Sequence, residues 1–245
     1  MELIRLLASF QNSTYTHCEV DNFAPSISAA IGSFIPQKYI WQACIALHLA
    51  PRFLFACLLN QHLYQRLKIT QIVKKLLGTS LVLQFVENLA LLCLTIVSSQ
   101  ENFPIHSWAF GTFGAASTLY MVIVVYLVKC CGYRPQNRFE KKGTVWKVRL
   151  LRGTVIAGAC MCLFYWWHNT YCEPYVYSFF GICEYLLVLF NIAFHGTAYY
   201  DFYFSEVIVT KSTPTALAPP FLNNSQFHRS NASDQEPLLQ SIETH

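Results

Sequence analysis

The sequence specifies an all-α fold: a polytopic transmembrane helix bundle of about five spans, with a lumenal N-terminal loop and a disordered cytosolic tail. Three observations predict it. Of 245 residues, 54% are hydrophobic and only 12% are Asp, Glu, Lys or Arg, where a soluble domain carries about 25% charged residues. Five apolar runs approach the roughly 20 residues that cross a hydrocarbon core. Finally, twelve of the 17 Lys and Arg gather in two loops, which is the signature of membrane topology and not of a nucleic-acid footprint. No nucleic-acid partner is expected.

Met1–Phe10 is apolar but too short to span, and Glu2 and Arg5 do not suit a signal peptide. Gln11–Gln37 is polar and turn-rich, broken by Pro25, Gly32 and Pro36. The spans follow at about Tyr39–Leu59, Leu76–Val97, Ser107–Val128, Gly153–Trp167 and Pro174–Thr197. Between the first two lies a loop with Arg66, Lys68, Lys74 and Lys75. The loop from Lys129 to Arg152 holds eight Lys and Arg against one Glu. Residues 1–209 thus form the membrane domain, with 1–37 its N-terminal segment, and 210–245 a tail rich in Ser, Pro and Asn that reads as disordered.

The positive-inside bias places both basic loops and the tail in the cytosol and the N-terminal segment in the lumen. Cys18 and Cys172 then share an oxidising compartment, and are either a disulfide or two free thiols. Asn12-Ser13-Thr14 is a lumenal glycosylation sequon, whereas those at Asn223 and Asn231 are silent in a cytosolic tail. Cys130 and Cys131 are either palmitoylated or inert. Asp234, Leu238 and Leu239 have the spacing of an acidic dileucine sorting signal. No metal-ligand spacing, glycine-rich phosphate loop or G-x-S-x-G is present, so neither a metal nor a bound cofactor is expected.

Three ionisable side chains fall about ten residues from the lumenal ends of their spans: His48, Glu87 and Glu184. Ten residues at about 1.5 Å each reach the bilayer midplane. Arg52 shares a face with His48. A cluster of His48, Arg52, Glu87 and Glu184, with Asn88 and Asn191 completing its hydrogen bonds, is nearly charge-balanced, as buried charge must be. Two readings stand. In one, these groups fix helix register. In the other, His48 is a general base, Glu87 and Glu184 orient it, and Arg52 binds phosphate. No Ser, Thr or Cys adjoins the cluster in sequence to serve as nucleophile. A second set lies in the N-terminal loop, His17, Ser26 and Ser28, where Ser also suits a helix cap.

Thr16–Cys18, PSISAAIG at Pro25–Gly32, Pro36–Gln37, ALHLAPRF ending at Phe53, VENLALLCLTIVSS at Val86–Ser99, and the HNTYCE…EY…NIAFHGTAYYDF run from His168 to Phe202 resemble the post-GPI-attachment-to-proteins factor 2 family. The resemblance covers about Thr16 to Phe202, leaving out the tail and the basic-loop sequence. It implies a multi-pass Golgi membrane protein, with the endoplasmic reticulum a second location, acting in fatty-acid remodelling of GPI anchors. There it reacylates lyso-GPI with a saturated chain at sn-2, which stable surface display of GPI-anchored proteins needs. The acyl donor it implies is acyl-CoA or a phospholipid. Its substrates and partners are the GPI lipid, GPI-anchored proteins and a phospholipase-type remodelling enzyme. The alternative is a non-catalytic lipid-binding or scaffold protein that regulates such an enzyme. The family's polar motif residues match His17, Pro25, Ser26, His48, Arg52, Glu87, Asn88, His168, Glu184, Asn191, His195 and Asp201. Family members carry a further hydrophobic helix ahead of the Thr16–Cys18 motif. Met1–Phe10 stands in its place here, which implies a shortened isoform or a diverged paralogue.

Overall fold

The computed structural model describes residues 10–32 and 34–204. The tail, including Asn223, Asn231, Asp234, Leu238 and Leu239, lies outside the described residues, as do residues 1–9. The elements are α1 (Ile27–Gly32), α2 (Gln37–Arg66), α3 (Gln71–Ile96), α4 (Phe103–Cys130), α5 (Arg138–Tyr171), α6 (Val176–Gly196) and α7 (Ala198–Phe202). Five helices are long and apolar enough to cross a membrane, α6 and α7 counting together. Large apolar side chains such as Leu47, Trp108, Ile156 and Leu189 point outward. Exposed apolar surface of that extent marks a lipid-facing band.

Local sequence explains where the helices start. Thr70 accepts a hydrogen bond from the Val73 amide, Asn102 from Ile105 and Asn137 from Glu140, so each satisfies an otherwise unpaired donor of the first turn. Between α5 and α6 the chain reverses through Cys172 and Tyr175, both with positive φ, and the Tyr175 amide donates to the Asp21 carbonyl at 2.8 Å.

One sequence expectation is corrected. The basic stretch before Gly153 is not all loop: α5 begins at Arg138 and runs 34 residues. Charge excludes a segment from hydrocarbon but not from a helix, and here the charges find partners. Lys147, 2% exposed, bonds Asp201 at 2.6 Å. Arg66 bonds Glu140 at 2.7 Å.

The two ends of the bundle are packed differently. Near the basic loops, Leu59, Leu63, Val73, Leu77, Leu127 and Tyr133 form one buried cluster. Above it Tyr120, Met121, Val124, Leu150 and Phe194 form a second. Toward the opposite end the N-terminal segment is laid along α6. The Ser178 hydroxyl accepts from the amides of Phe23 (2.8 Å) and Ala24 (3.1 Å). A Cβ on Gly181 would come within 2.9 Å of the Pro25 carbonyl oxygen. One turn on, the Glu184 carboxylate accepts from the Ile27 amide at 2.9 Å. Residues 178, 181 and 184 make one stripe of α6, because i and i+3 positions share a helix face. A disulfide between Cys18 and Cys172, with Cα atoms 5.3 Å apart, closes the segment onto the turn before α6. The free-thiol alternative is set aside.

Candidate functional site

Two polar centres lie inside the bundle. In the first, Glu87 of α3 is fully buried and one of its oxygens gathers three donors. These are the Arg52 guanidinium, His195 Nε2 at 2.9 Å and the Asn191 amide at 2.8 Å. The Asn191 amide also donates to Ser117 Oγ at 2.7 Å. Two helices besides α3, α2 and α6, therefore converge on one carboxylate, and Ser117 of α4 joins through Asn191. That is how a buried charge is held: its desolvation is offset only when good donors surround it. Pro51 lies inside α2, one residue before Arg52. It has no amide to return to the Leu47 carbonyl, which loosens the turn presenting His48 and Arg52.

The second centre forms around α1. Ser26, 3% exposed, accepts from the Ala29 amide at 3.1 Å, so it caps the helix, and Tyr177 donates to it at 3.3 Å. Ser28 Oγ lies 2.9 Å from His106 Nε2. The other ring nitrogen of His106, Nδ1, is 2.8 Å from the Val97 carbonyl. A carbonyl only accepts, so Nδ1 carries the proton and Nε2 is left to receive one from the Ser28 hydroxyl. Glu184 stands beside the same hydroxyl.

The expected single cluster of His48, Arg52, Glu87 and Glu184 is corrected. Arg52 and Glu87 do pair, but Asn191 and His195 complete that group, while Glu184 bonds the Ile27 amide instead. Counting residues from a helix end fixes depth and leaves rotation about the helix axis free, so equal depth did not mean contact. Asn88 is fully buried beside the cluster, yet among the described residues neither atom of its amide has a partner; nor do Glu87 Oε2 and Arg52 Nε. His17 is exposed at the disulfide, its ring edge-on to His168 with centroids 5.5 Å apart. His17, Cys18 and Cys172 are close enough to hold an ion, but sulfurs bonded to each other offer no thiolate to a metal. Asn12 is exposed and helical.

Cavities join the two centres. One of about 210 Å³ is walled by Ser28, His48, Arg52, His106, Glu184 and Asn191 among apolar side chains. On one side it adjoins a cavity of about 500 Å³ that shares Ser28, His106 and Glu184. On the other, His48 and Arg52 also wall a cavity of about 390 Å³ that reaches His195 and Tyr199. A cleft of about 270 Å³ runs along α4, α5 and α6 past Gly111, Gly114, Gly158, Leu187 and Val188. Mostly apolar walls with a few convergent polar groups are the usual form of a small-molecule site. The sequence does not single out His106 because it stands at the end of a short loop, four residues after Asn102, which in fact caps α4.

The fold and this interior define a class: a polytopic helical membrane protein with a polar, cavity-lined centre. Residues 3–205 match the Frag1/DRAM/Sfk1/Cwh43P N-terminal domain. The chain is 37% identical over 217 residues to post-GPI attachment to proteins factor 2 of Caenorhabditis elegans, covering 86% of this chain and 81% of that one. It is 39% identical over 205 residues to acyltransferase PGAP2 of Xenopus tropicalis, covering 83% and 81%. With post-GPI attachment to proteins factor 2 of Drosophila melanogaster it shares 38% over 204 residues, covering 83% and 79%. No solved structure matches. The chain belongs to the post-GPI attachment to proteins factor 2 family.

Proposed function

We propose that this protein reacylates lyso-GPI, placing a saturated chain at sn-2, in the Golgi membrane. The observation that carries the proposal is the 210 Å³ cavity, where a cation, two imidazoles, a carboxylate and a serine hydroxyl converge inside an otherwise apolar bundle. A relative 39% identical bears the name acyltransferase. A lyso-lipid needs such a mixed site: apolar clefts for its chain and polar groups for its phosphate and free hydroxyl. In this reading the basic loops face the cytosol and the disulfide end faces the lumen. His48 and Arg52 meet the head group, Arg52 contacting phosphate. Glu87 is a positioning residue acting through Arg52 and His195, and Asn191 supports the same group. Glu184 positions α1 and walls the cavity. GPI-anchored proteins are the carriers of the substrate, and a phospholipase-type enzyme that makes the lyso form is the partner reaction.

The scaffold reading draws on one observation: Glu87 is bonded by three donors in the manner of a structural ion cluster. A transfer assay separates the two. Full-length protein is purified into lipid nanodiscs with lyso-GPI, and the product is followed by mass spectrometry. Formation of sn-2 acylated GPI that depends on the protein supports the enzyme. No product with either stearoyl-CoA or phosphatidylcholine as donor sinks it in favour of the scaffold.

A further inference from the structure

We propose that Ser28 is the nucleophile of a two-step acyl transfer and His106 its general base, so that the acyl chain passes through an ester on the protein. The proposal rests on the acyl-transfer reading above and deepens it. Three observations carry it. The first is the hydrogen-bond order Ser28 Oγ to His106 Nε2 at 2.9 Å and His106 Nδ1 to the Val97 carbonyl at 2.8 Å. This is the nucleophile, base and orienting acceptor of covalent acyl transfer, with a backbone carbonyl in the place an acidic side chain often takes. The second is that the pair is built in, not incidental. The Ser178, Gly181 and Glu184 stripe of α6 and the cap on Ser26 fix the backbone on both sides of Ser28. His106, 8% exposed, is held in the first turn of α4.

The third observation is the surroundings. Ser28 and His106 both open onto the 500 Å³ and 210 Å³ cavities. The larger shares Phe110, Gly111, Met161 and Cys162 with the cleft along α4, α5 and α6. Glycines at 111, 114 and 158 leave this cleft without side chains that would block an extended hydrocarbon tail. The smaller leads to His48 and Arg52. A carbonyl at Ser28 can therefore have its chain in the cleft on one side while a phosphate-bearing acceptor enters past Arg52 on the other.

The chemistry balances as two ester exchanges. The donor is a long-chain acyl ester or thioester. Ser28 Oγ attacks its carbonyl carbon while His106 Nε2 takes the hydroxyl proton. The bond from carbonyl carbon to the leaving oxygen or sulfur then breaks, and the imidazolium returns the proton to that atom. The result is an acyl-Ser28 ester and a free alcohol or thiol. In the second half the lyso-lipid hydroxyl attacks the ester and His106 takes its proton. The Ser28–acyl bond breaks and Ser28 regains the proton. Nothing is oxidised or reduced.

The test uses full-length protein in nanodiscs without lyso-GPI, so that the ester accumulates. One arm supplies deuterated distearoyl phosphatidylcholine, the other deuterated stearoyl-CoA. Peptide mass spectrometry should find the labelled chain on Ser28 from one donor, and lost at least tenfold in Ser28→Ala and His106→Ala. The Cys18–Cys172 bond and a single size-exclusion peak report folding. If the alanine variants misfold, Ser28→Cys serves instead. It keeps the shape, and its acyl adduct should become a thioester cleaved by neutral hydroxylamine. Lyso-GPI acylation with no label on Ser28 in either arm, or at wild-type rate in Ser28→Ala, overturns the serine while leaving the acyl-transfer reading intact. Label on Ser28 that never passes to lyso-GPI keeps the serine and overturns the acceptor. Neither label nor product overturns both.

Discussion

The end of the bundle near the basic loops and the half near the disulfide both bury charge, but on different terms. At the basic end the charges are matched in buried pairs, although Lys147 also borders the 390 Å³ cavity. Glu140 takes hydrogen bonds from Arg66, Tyr133 and the Gln136 amide, and Lys147 is paired with Asp201. Burial first, then the charges of Asp201 and Glu140, raise the Tyr133 phenol well above its ordinary pKa, so it stays a donor. In the other half His48, Arg52, His195 and Glu184 line cavities, and Glu87 Oε2, Arg52 Nε and the Asn88 amide have no partners among the described residues. An unpaired buried polar group costs about 1–3 kcal/mol. His62 Nε2 at the basic end is also without a partner among the described residues, but the carboxylates there are paired, whereas Arg52, with its unpartnered Nε, borders two cavities that a ligand can enter. Stability resides at the basic end and ligand chemistry in the half near the disulfide.

That contrast can be broken by mutation, and the largest effect is expected at the saturated end. Lys147→Met should leave Asp201 buried and unpaired, lowering stability by about 3–5 kcal/mol and depleting the protein from cells. The double variant Lys147→Met/Asp201→Leu should recover most of it, as steady-state abundance and thermal unfolding in detergent would report. An uncorrected double variant would show that the pair is not the cause. Next comes Cys18→Ser, which frees the N-terminal segment and should cost about 2–4 kcal/mol. It should also expose Cys172 to a maleimide reagent, and an already reactive Cys172 in the unmutated chain would contradict the bond.

Gly181→Ala tests the seat of α1 more gently. Its Cβ would press on the Pro25 backbone at 2.9 Å, whereas one on Gly158 meets only Leu187 at 3.9 Å. The first should lose about 1–3 kcal/mol and most remodelling activity, the second little stability. Equal behaviour of the two would mean that α1 is not held where it is by α6. The smallest effect belongs to Lys38–Glu101, exposed at the disulfide end. The Lys38 hydrogen bond, aided by Ser98, lowers the Glu101 carboxyl to about 2. A depressed carboxylate stabilises above its unfolded pKa and loses that contribution as pH falls through the folded one. Glu101→Gln should therefore leave the melting temperature at pH 7 almost unchanged, and flatten whatever slope this group adds between about pH 4.5 and 2.

The spans were legible in the sequence because an apolar run of the right length needs no tertiary information to be recognised. Glu87 and Glu184 were legible as important for the same reason: charge inside such a run must be answered by something. What answers it was not legible. Asn191 and His195 were noticed, but only the rotation of α6 shows that they meet Glu87 while Glu184, on the same helix, meets α1. The helical start of α5 was hidden because Lys147 looks like a loop charge until Asp201, 54 residues on, is seen beside it. His106 was hidden most completely. Its partner Ser28 is 78 residues away, and no spacing rule connects a residue of the short α1 with the first turn of a later helix.

The central claim is that the cavity-lined half remodels lipid while the saturated end merely holds the bundle together. Its most direct test uses cells lacking the endogenous protein, re-expressing the unmutated chain, His48→Ala, Glu184→Gln or Arg66→Met. The sn-2 chain of GPI-anchored proteins is read by mass spectrometry and normalised to the amount of each variant in the Golgi. His48→Ala and Glu184→Gln should lose the saturated chain at least tenfold at near-normal abundance, whereas Arg66→Met, which breaks the Arg66–Glu140 pair away from the cavities, should lose abundance but keep its activity per molecule. Full remodelling by both cavity variants, at any abundance, would contradict the claim.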